Sequence, residues 1–284
     1  MSEFDPLNPQ AKHMADESMV RNLRHQAEAI WPQEKPLFER YALPEGVRIL
    51  DVGCGTGEIA IRLGELLPGA SVLGVDLIEA HLELARRRAE RFQGRVQFQP
   101  GNAFALEFGD GAFDLVVCRH MLQAIPHAER AIAEIVRVTR PGGRVHLLVE
   151  DYGMIFIHPT RFDAAKFWFE GPRRFALATG TDLHVGRAAY TYLHGLGVER
   201  ISVDYIAVDT TRVPRETFAQ IWIAWRDGYA ESVAEYTDYS PQEAVAHFDD
   251  MIATIRDPHG FALWLIPVVS GVVPAGLRAP ESST

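Results

Sequence analysis

Asp51, Gly53, Gly55 and Gly57 alternate through the run Ile49-Leu50-Asp51-Val52-Gly53-Cys54-Gly55-Thr56-Gly57. Glycine is needed where backbone turns tightly and a ligand must approach it closely. An apolar strand-like stretch precedes this run and a helical pattern follows it. That places the loop at the carboxyl end of a parallel strand, where open α/β sheets bind ligands. The next apolar stretch ends in Asp76, nineteen residues after Gly57, well placed to accept hydrogen bonds from ribose hydroxyls. The dinucleotide fingerprint is G-x-G-x-x-G, with pyrophosphate on a helix N-terminus. Here the third glycine comes one residue early, and Asp51 precedes the first by two. A carboxylate in that place repels pyrophosphate and suits a cofactor carrying an ammonium and a sulfonium, S-adenosylmethionine rather than NAD.

A second set of residues could move protons. His120 follows an apolar strand in Cys118-Arg119-His120-Met121, and histidine titrates near neutral pH. Tyr152 follows the next strand in Glu150-Asp151-Tyr152-Gly153 and could bond a substrate heteroatom or relay a proton with His120. Glu150 and Asp151 could also serve, though adjacent acids at a strand end are often solvated. Near the start, Glu17, Arg21, Arg24 and His25 lie on one charged helical face. Of these, Glu17, Arg24 and His25 are candidates for facing a substrate, and the bland alternative is a wet surface. The second half is rich in aromatics, among them Phe167, Trp168, Phe169, Tyr190, Tyr192, Trp222, Trp225 and Tyr229. That is more than one short helix can bury, so a flat apolar pocket using Trp168 and Trp222 is expected, for a small aromatic partner. No grouping of His, Cys, Asp or Glu has metal-ligand spacing, so no metal is expected.

Elements that could position these residues follow from the apolar periodicity. Residues 16–31 read as a helix through Met19, Leu23, Ala27 and Ile30, with Pro32 and Pro36 breaking it from a short helix near Leu37–Tyr41. From residue 46 strands alternate with helices, and the strands are near-continuously apolar. The expected fold class is α/β, with a doubly wound, mostly parallel seven-stranded sheet covered on both faces and a helical cap. Residues 1–42 read as a helical lid, 43–158 and 198–273 as the sheet core, 159–197 and 210–258 as cap segments, and 274–284 as a loose tail. Ser240-Pro241-Gln242-Glu243 has the makings of a capped helix start.

Composition narrows the partners. The 284 residues carry 28 Lys and Arg against 38 Asp and Glu, a net charge of −10, which disfavours a nucleic-acid partner. The longest apolar run, Phe261 to Val269, is too short to span a bilayer, so no membrane is expected. Cys54 and Cys118 read as reduced thiols in a cytoplasmic protein. A homodimer stays open.

At its glycine loop the chain resembles the class I S-adenosylmethionine-dependent methyltransferases, well over residues 40–152. The likeness continues more weakly through Gly180-Thr181-Asp182-Leu183-His184-Val185-Gly186-Arg187, a stretch similar to the branch acting on quinones and natural products. The resemblance implies that Gly53, Gly55 and Gly57 line the methionine part of the cofactor, with Asp51 beside them. It implies that Asp76 and Leu77 hold ribose and adenine, that Asn102-Ala103 meets the adenine amino group, and that Arg119 borders the methionine moiety. Many members have Asp where this chain has Asn102. A narrower similarity, carried by Glu150-Asp151-Tyr152-Gly153-Met154 and Arg119-His120-Met121-Leu122-Gln123, is to bacterial enzymes that methylate indole C3 and yield pyrroloindolines. It implies that His120 and Tyr152 take the proton lost as the third ring closes. Other readings are N- or O-methylation of another metabolite, a nicotinamide-dependent oxidoreductase, and a non-catalytic cofactor-binding protein.

Overall fold

The structure is a computed structural model and describes residues 8–9 and 14–275. The expected loose tail falls largely outside these residues. Strand β1 (Arg48–Val52) is the centre of the sheet. Parallel to it on one side run β2 (Ser71–Asp76) and then β3 (Val96–Pro100); on the other run β4 (Phe113–Arg119) and then β5 (Thr139–Leu148). Neighbouring residues of one strand serve opposite faces. Ile49 packs with Leu115 and Val117 under one layer of helices, while Leu50 packs with Val116 and Cys118 under the other. Both faces are therefore apolar, which is why these strands read as unbroken apolar runs. The first face is covered by α2 (Glu58–Leu66) and α3 (Glu79–Ala89), the second by α4 (Ala128–Val138) and α6 (Val185–Gly195).

The sheet closes with antiparallel strands, as expected of a terminal pair. Strand β8 (Phe261–Val272) lies against β5 through pairs such as Val145 with Gly271, and β7 (Glu199–Asp209) lies along its other edge. A further strand, β6 (Ile155–His158), pairs with the first residues of β8, Ile155 opposite Trp264. Among the described residues the sheet thus has eight strands rather than seven. Four residues, half of them exposed, leave too short a pattern to read from sequence.

Helices α5 (Ala164–Thr179), α7 (Arg215–Tyr236) and α8 (Pro241–Arg256) form an apolar cluster with the outer end of the sheet, around Trp222, Phe248 and Trp264. The Ser240 capping box is present: the Glu243 N–H donates to Ser240 Oγ at 3.2 Å, and the Ser240 N–H donates to Glu243 Oε2 at 2.8 Å.

One expectation fails plainly. A single helix, α1 (Glu17–Arg40), runs straight through Pro32 and Pro36. An internal proline costs a helix about 3 kcal/mol. Tertiary contacts around the prolines outweigh it. Ile30, Glu34 and Phe38 are buried at helical spacing, and Gln33 bonds both the carbonyl (2.8 Å) and the N–H (3.1 Å) of Ala207.

Candidate active site

The glycine loop leaves β1 and is tied to its neighbour strand. The N–H groups of Gly53 and Cys54 donate to the Val75 carbonyl at 2.9 and 3.0 Å. Asp76 then braces the loop, its carboxylate accepting from the N–H of Gly55 (2.8 Å) and of Ile78 (2.9 Å). Gly53 and Gly55 have φ of +71° and +51°, and a Cβ would lie 2.7 Å from Met121 Sδ at the first and 2.9 Å from Leu23 Cδ1 at the second. A side chain at either place would be strained and would have to displace Met121 or Leu23.

The loop opens on a cavity that brings together Gly53, Gly55, Asp76, Leu77, Asn102, Ala103 and Arg119, all predicted from sequence. Gly57 does not face it; it turns the chain into α2 with its α-carbon against Phe98. Asp51 also lies behind the loop, 2% exposed, where burial pushes its carboxyl up to about 7 against the opposing pull of Arg119. Asn102 Oδ1 accepts from the Phe104 N–H at 2.9 Å, so it is the amide nitrogen that is left over. His81, which no sequence motif singled out, and Met121 also line it.

Arg119 is held from below. Its Nε stands 2.9 Å from Oε1 of Glu34, an ion pair by distance, although the N–H is not aligned for a hydrogen bond. Glu34 is fully buried on α1, and its Oε1 also receives His146 Nε2 at 3.0 Å. Burial works against the charged carboxyl, but Arg119 and His146 hold it below the usual carboxylate range. Nη2 of Arg119 and Nε2 of His81 are buried with no protein partner. Asp76 keeps unused lone pairs, as a carboxylate has about four acceptor positions. These leftovers suit a ligand with ribose hydroxyls and a carboxylate.

Beyond this cavity lies a second chamber, sharing Met14, Leu23, His120 and Ala124 with it. His120 leaves β4 with φ +52°, its N–H on the Leu148 carbonyl at 3.1 Å. That turn points the ring back between strands, where Nδ1 meets Glu150 Oε1 at 2.7 Å. Burial drives the imidazole pKa below its ordinary value, while Glu150 pulls it back up. The opposite wall is α1, through Asn22 and Gln26.

A third space, of aromatic walls, shares Tyr152, Leu183, Trp225 and Tyr229 with the second. Trp168 and Trp225 stand 5.4 Å apart between ring centres, with Tyr152 at 5.5 Å from the first. Burial raises the Tyr152 phenol well above its usual pKa, as does the Glu150 charge, so it is a neutral donor here. Asp151 points the other way. It is 0% exposed, accepts twice from Arg187 (2.6 and 2.7 Å), and pairs with His184 at 2.9 Å. Neither acid is solvated, contrary to expectation, because each has a cationic or imidazole partner.

Several substrate candidates are misplaced. Glu17 and Arg24 have side chains 75% and 70% exposed and pair with Arg21 and Glu28 on the outer face of α1. His25 sits 3.5 Å from Glu28 and lines neither chamber. Trp222 is fully buried behind Trp168, at 4.8 Å, as a support for the pocket wall. The face of α1 toward the site is instead Met19, Asn22, Leu23 and Gln26. Two amides four residues apart inside an apolar stripe were the available signal. Gln123, whose Nε2 donates to the His120 carbonyl at 2.8 Å, gave none.

Residues 49–143, from β1 into β5, match the family model described as a methyltransferase domain. The chain carries a class I, S-adenosylmethionine-dependent methyltransferase domain. Among curated relatives of this domain, a demethylmenaquinone methyltransferase of Thermus thermophilus is 44% identical over 101 residues, 36% of this chain and 46% of that protein. A ubiquinone/menaquinone biosynthesis C-methyltransferase of Methylobacterium nodulans is 46% identical over 99 residues, 34% of this chain and 39% of that protein. The chain thus spans less than half the length of either relative. In fold, the methyltransferase domain and its additions resemble a Haemonchus contortus phosphoethanolamine N-methyltransferase solved with S-adenosylhomocysteine. The TM-score is 0.54 at 21% identity, covering 86% of this chain and 53% of that one. The matched segment ends before the cap, so β6, α5, α7 and α8, which build the outer chambers, lie outside it.

Proposed function

We propose that this chain methylates a ring carbon of a small, flat, electron-rich aromatic acceptor, with His120 taking the proton that leaves. The observation that carries this reading is the adjacency of three spaces that share walls: a cofactor cavity, a polar chamber centred on His120 and Glu150, and an aromatic pocket. Asp76, Asn102, Arg119 and the loop backbone would hold S-adenosylmethionine, with Asp51 behind them countering its positive charge. When bound, it supplies an electrophilic methyl group. Alignment of the nucleophile and exclusion of water are then the protein's main contributions. Tyr152, Trp168 and Trp225 clamp the ring from the outer side. Glu150 accepts from His120 Nδ1–H, which presents the lone pair of Nε2 to the chamber. Residues 1–42 act as the lid and 159–197 with 210–258 as the cap.

Two acceptors suit these walls. The named relatives point to a naphthalene-type quinone precursor, and the likeness around Glu150–Met154 and Arg119–Gln123 points to an indole methylated at C3. Both are fused rings that lose a proton from a heteroatom as carbon is alkylated. The test incubates the protein with methyl-labelled S-adenosylmethionine and a panel of naphthols, reduced naphthoquinones and indoles, with products identified by mass spectrometry and NMR. Label on a ring carbon is expected. Label on nitrogen or oxygen alone would reassign the reaction to heteroatom methylation. Tight binding of NAD without binding of S-adenosylhomocysteine in calorimetry would overturn the methyltransferase reading altogether.

A further inference from the structure

The chamber between cofactor cavity and aromatic pocket carries four buried polar atoms with no partner in the protein: Asn22 Oδ1, His120 Nε2, Gln123 Oε1 and Glu150 Oε2. Their residues are 1%, 8%, 6% and 2% exposed. All four atoms are acceptors in the bonding pattern present. Gln123 uses its nitrogen on the His120 carbonyl, which leaves its oxygen over. Glu150 Oε1 receives the Nδ1–H of His120, which leaves Nε2 with a lone pair and Oε2 with its own. Farther out the sign reverses. Trp168 Nε1, in the wall of the aromatic pocket, is also buried and without a partner, and an indole nitrogen only donates. Leaving such groups unpaired under a bound ligand is costly, so they select the ligand that pairs them.

Building on the methyl-transfer reading, we infer that the acceptor is an aromatic ring with an N–H or O–H donor at its reacting edge and a hydrogen-bond acceptor, such as an ether or carbonyl oxygen, at its far end beside Trp168. A carbonyl at the reacting edge would set oxygen against oxygen. These acceptors therefore favour a quinol, phenol or indole over the matching N- or O-capped ring. The same donor supplies the proton of the reaction. The ring carbon gives the electron pair of the new carbon–methyl bond, the pair of the N–H or O–H bond refills the ring, and the proton passes to His120 Nε2. The leaving group is a neutral thioether.

The experiment titrates S-adenosylhomocysteine first and then, with or without it, matched rings, followed by tryptophan fluorescence and calorimetry. The first pairs are 1-naphthol with 1-methoxynaphthalene and indole with 1-methylindole. In at least one pair the capped ring is expected to bind roughly tenfold more weakly. Parity in both pairs overturns the inference. For the far end, 5-methoxy-1-naphthol is compared with 1-naphthol in the wild type and in Trp168→Phe, which keeps a ring but loses the donor. A several-fold advantage of the methoxy compound that vanishes in the variant is expected; an advantage that survives, or is absent from the wild type, overturns that half. Failure of S-adenosylhomocysteine to bind would instead strike the methyl-transfer reading, and the ring comparisons would still be read.

Discussion

His120 sits in the left-handed region at φ +52°, and backbone of that kind costs about 1–3 kcal/mol unless its surroundings hold it. Here a backbone hydrogen bond to Leu148, the Gln123 amide and the Glu150 carboxylate all hold it. Replacing it by alanine should lower turnover by roughly two to four powers of ten with S-adenosylhomocysteine affinity kept, as measured by single-turnover kinetics and calorimetry. Unchanged turnover would remove His120 as the base. In the proposed role the neutral ring is the active form, and burial holds its pKa below the ordinary 6.5. Turnover should accordingly rise with pH through an inflection below that value and stay level through neutrality. Glu150→Gln removes the charge that pulls the pKa up, so the inflection should move further down while turnover falls. Asp51 has the opposite sign. Its folded-state pKa of about 7 exceeds the unfolded 3.8, so its contribution to stability is present below 3.8 and is lost as pH rises through about 7. Asp51→Asn should flatten the decline of melting temperature across that window and weaken S-adenosylhomocysteine binding. A variant that binds as tightly as the wild type would free Asp51 of any role beside the cofactor.

At the level of elements, α1 does two jobs with two halves. Its first half lays Asn22, Leu23 and Gln26 over the chambers; its second half fixes the helix through Gln33 on β7, Glu34 under Arg119, and Arg40 on Asp204. Removing one member of a buried ion pair typically costs about 3–5 kcal/mol. Glu34→Ala should reach that range in urea unfolding and also weaken S-adenosylhomocysteine binding, because Arg119 loses its support; loss of neither would show the pair to be incidental. Much of this scale was legible in the sequence. The parallel strands read as apolar runs because both faces are covered, and the loop from Asp51 to Gly57 declared itself by glycines whose positive φ disfavours other residues. Two things were hidden. Proline rules describe a helix in isolation, and α1 is held at Ile30, Glu34 and Phe38 by a sheet far away in sequence. The lid's facing was read from its charges, Glu17 and Arg24, when the inward face was marked by amides. Glu150 looked solvated because nothing local reveals that His120, thirty residues back, lies beside it.

Across the whole molecule, the chambers lie where three apolar clusters meet: one under β1 and α3, one under β4 and α4, and one between β8 and the cap helices. A ligand spanning these chambers touches the second through Phe104 and Ile125 and the third through Trp168 and Trp225, so binding should be felt as global stability. At one hundred times its Kd, S-adenosylhomocysteine should add about 2.7 kcal/mol to unfolding. A melting temperature unmoved by saturating ligand would show that it binds elsewhere or not at all. Strand β8 has a consequence for how the chain is made. Among the described residues it is the last strand, yet it alone joins β5, β6 and β7, and its Trp264 backs the His120 ring at 5.6 Å. Pairings so distant in sequence form late, since the loops they close must be ordered first. On the ribosome, a nascent chain that has released β1 to β5 can already assemble its parallel half, but β5 then presents a bare apolar edge until some 120 further residues emerge. During that interval the chain is most exposed to chaperones and to edge-on association, and the His120 ring lacks the backing of Trp264.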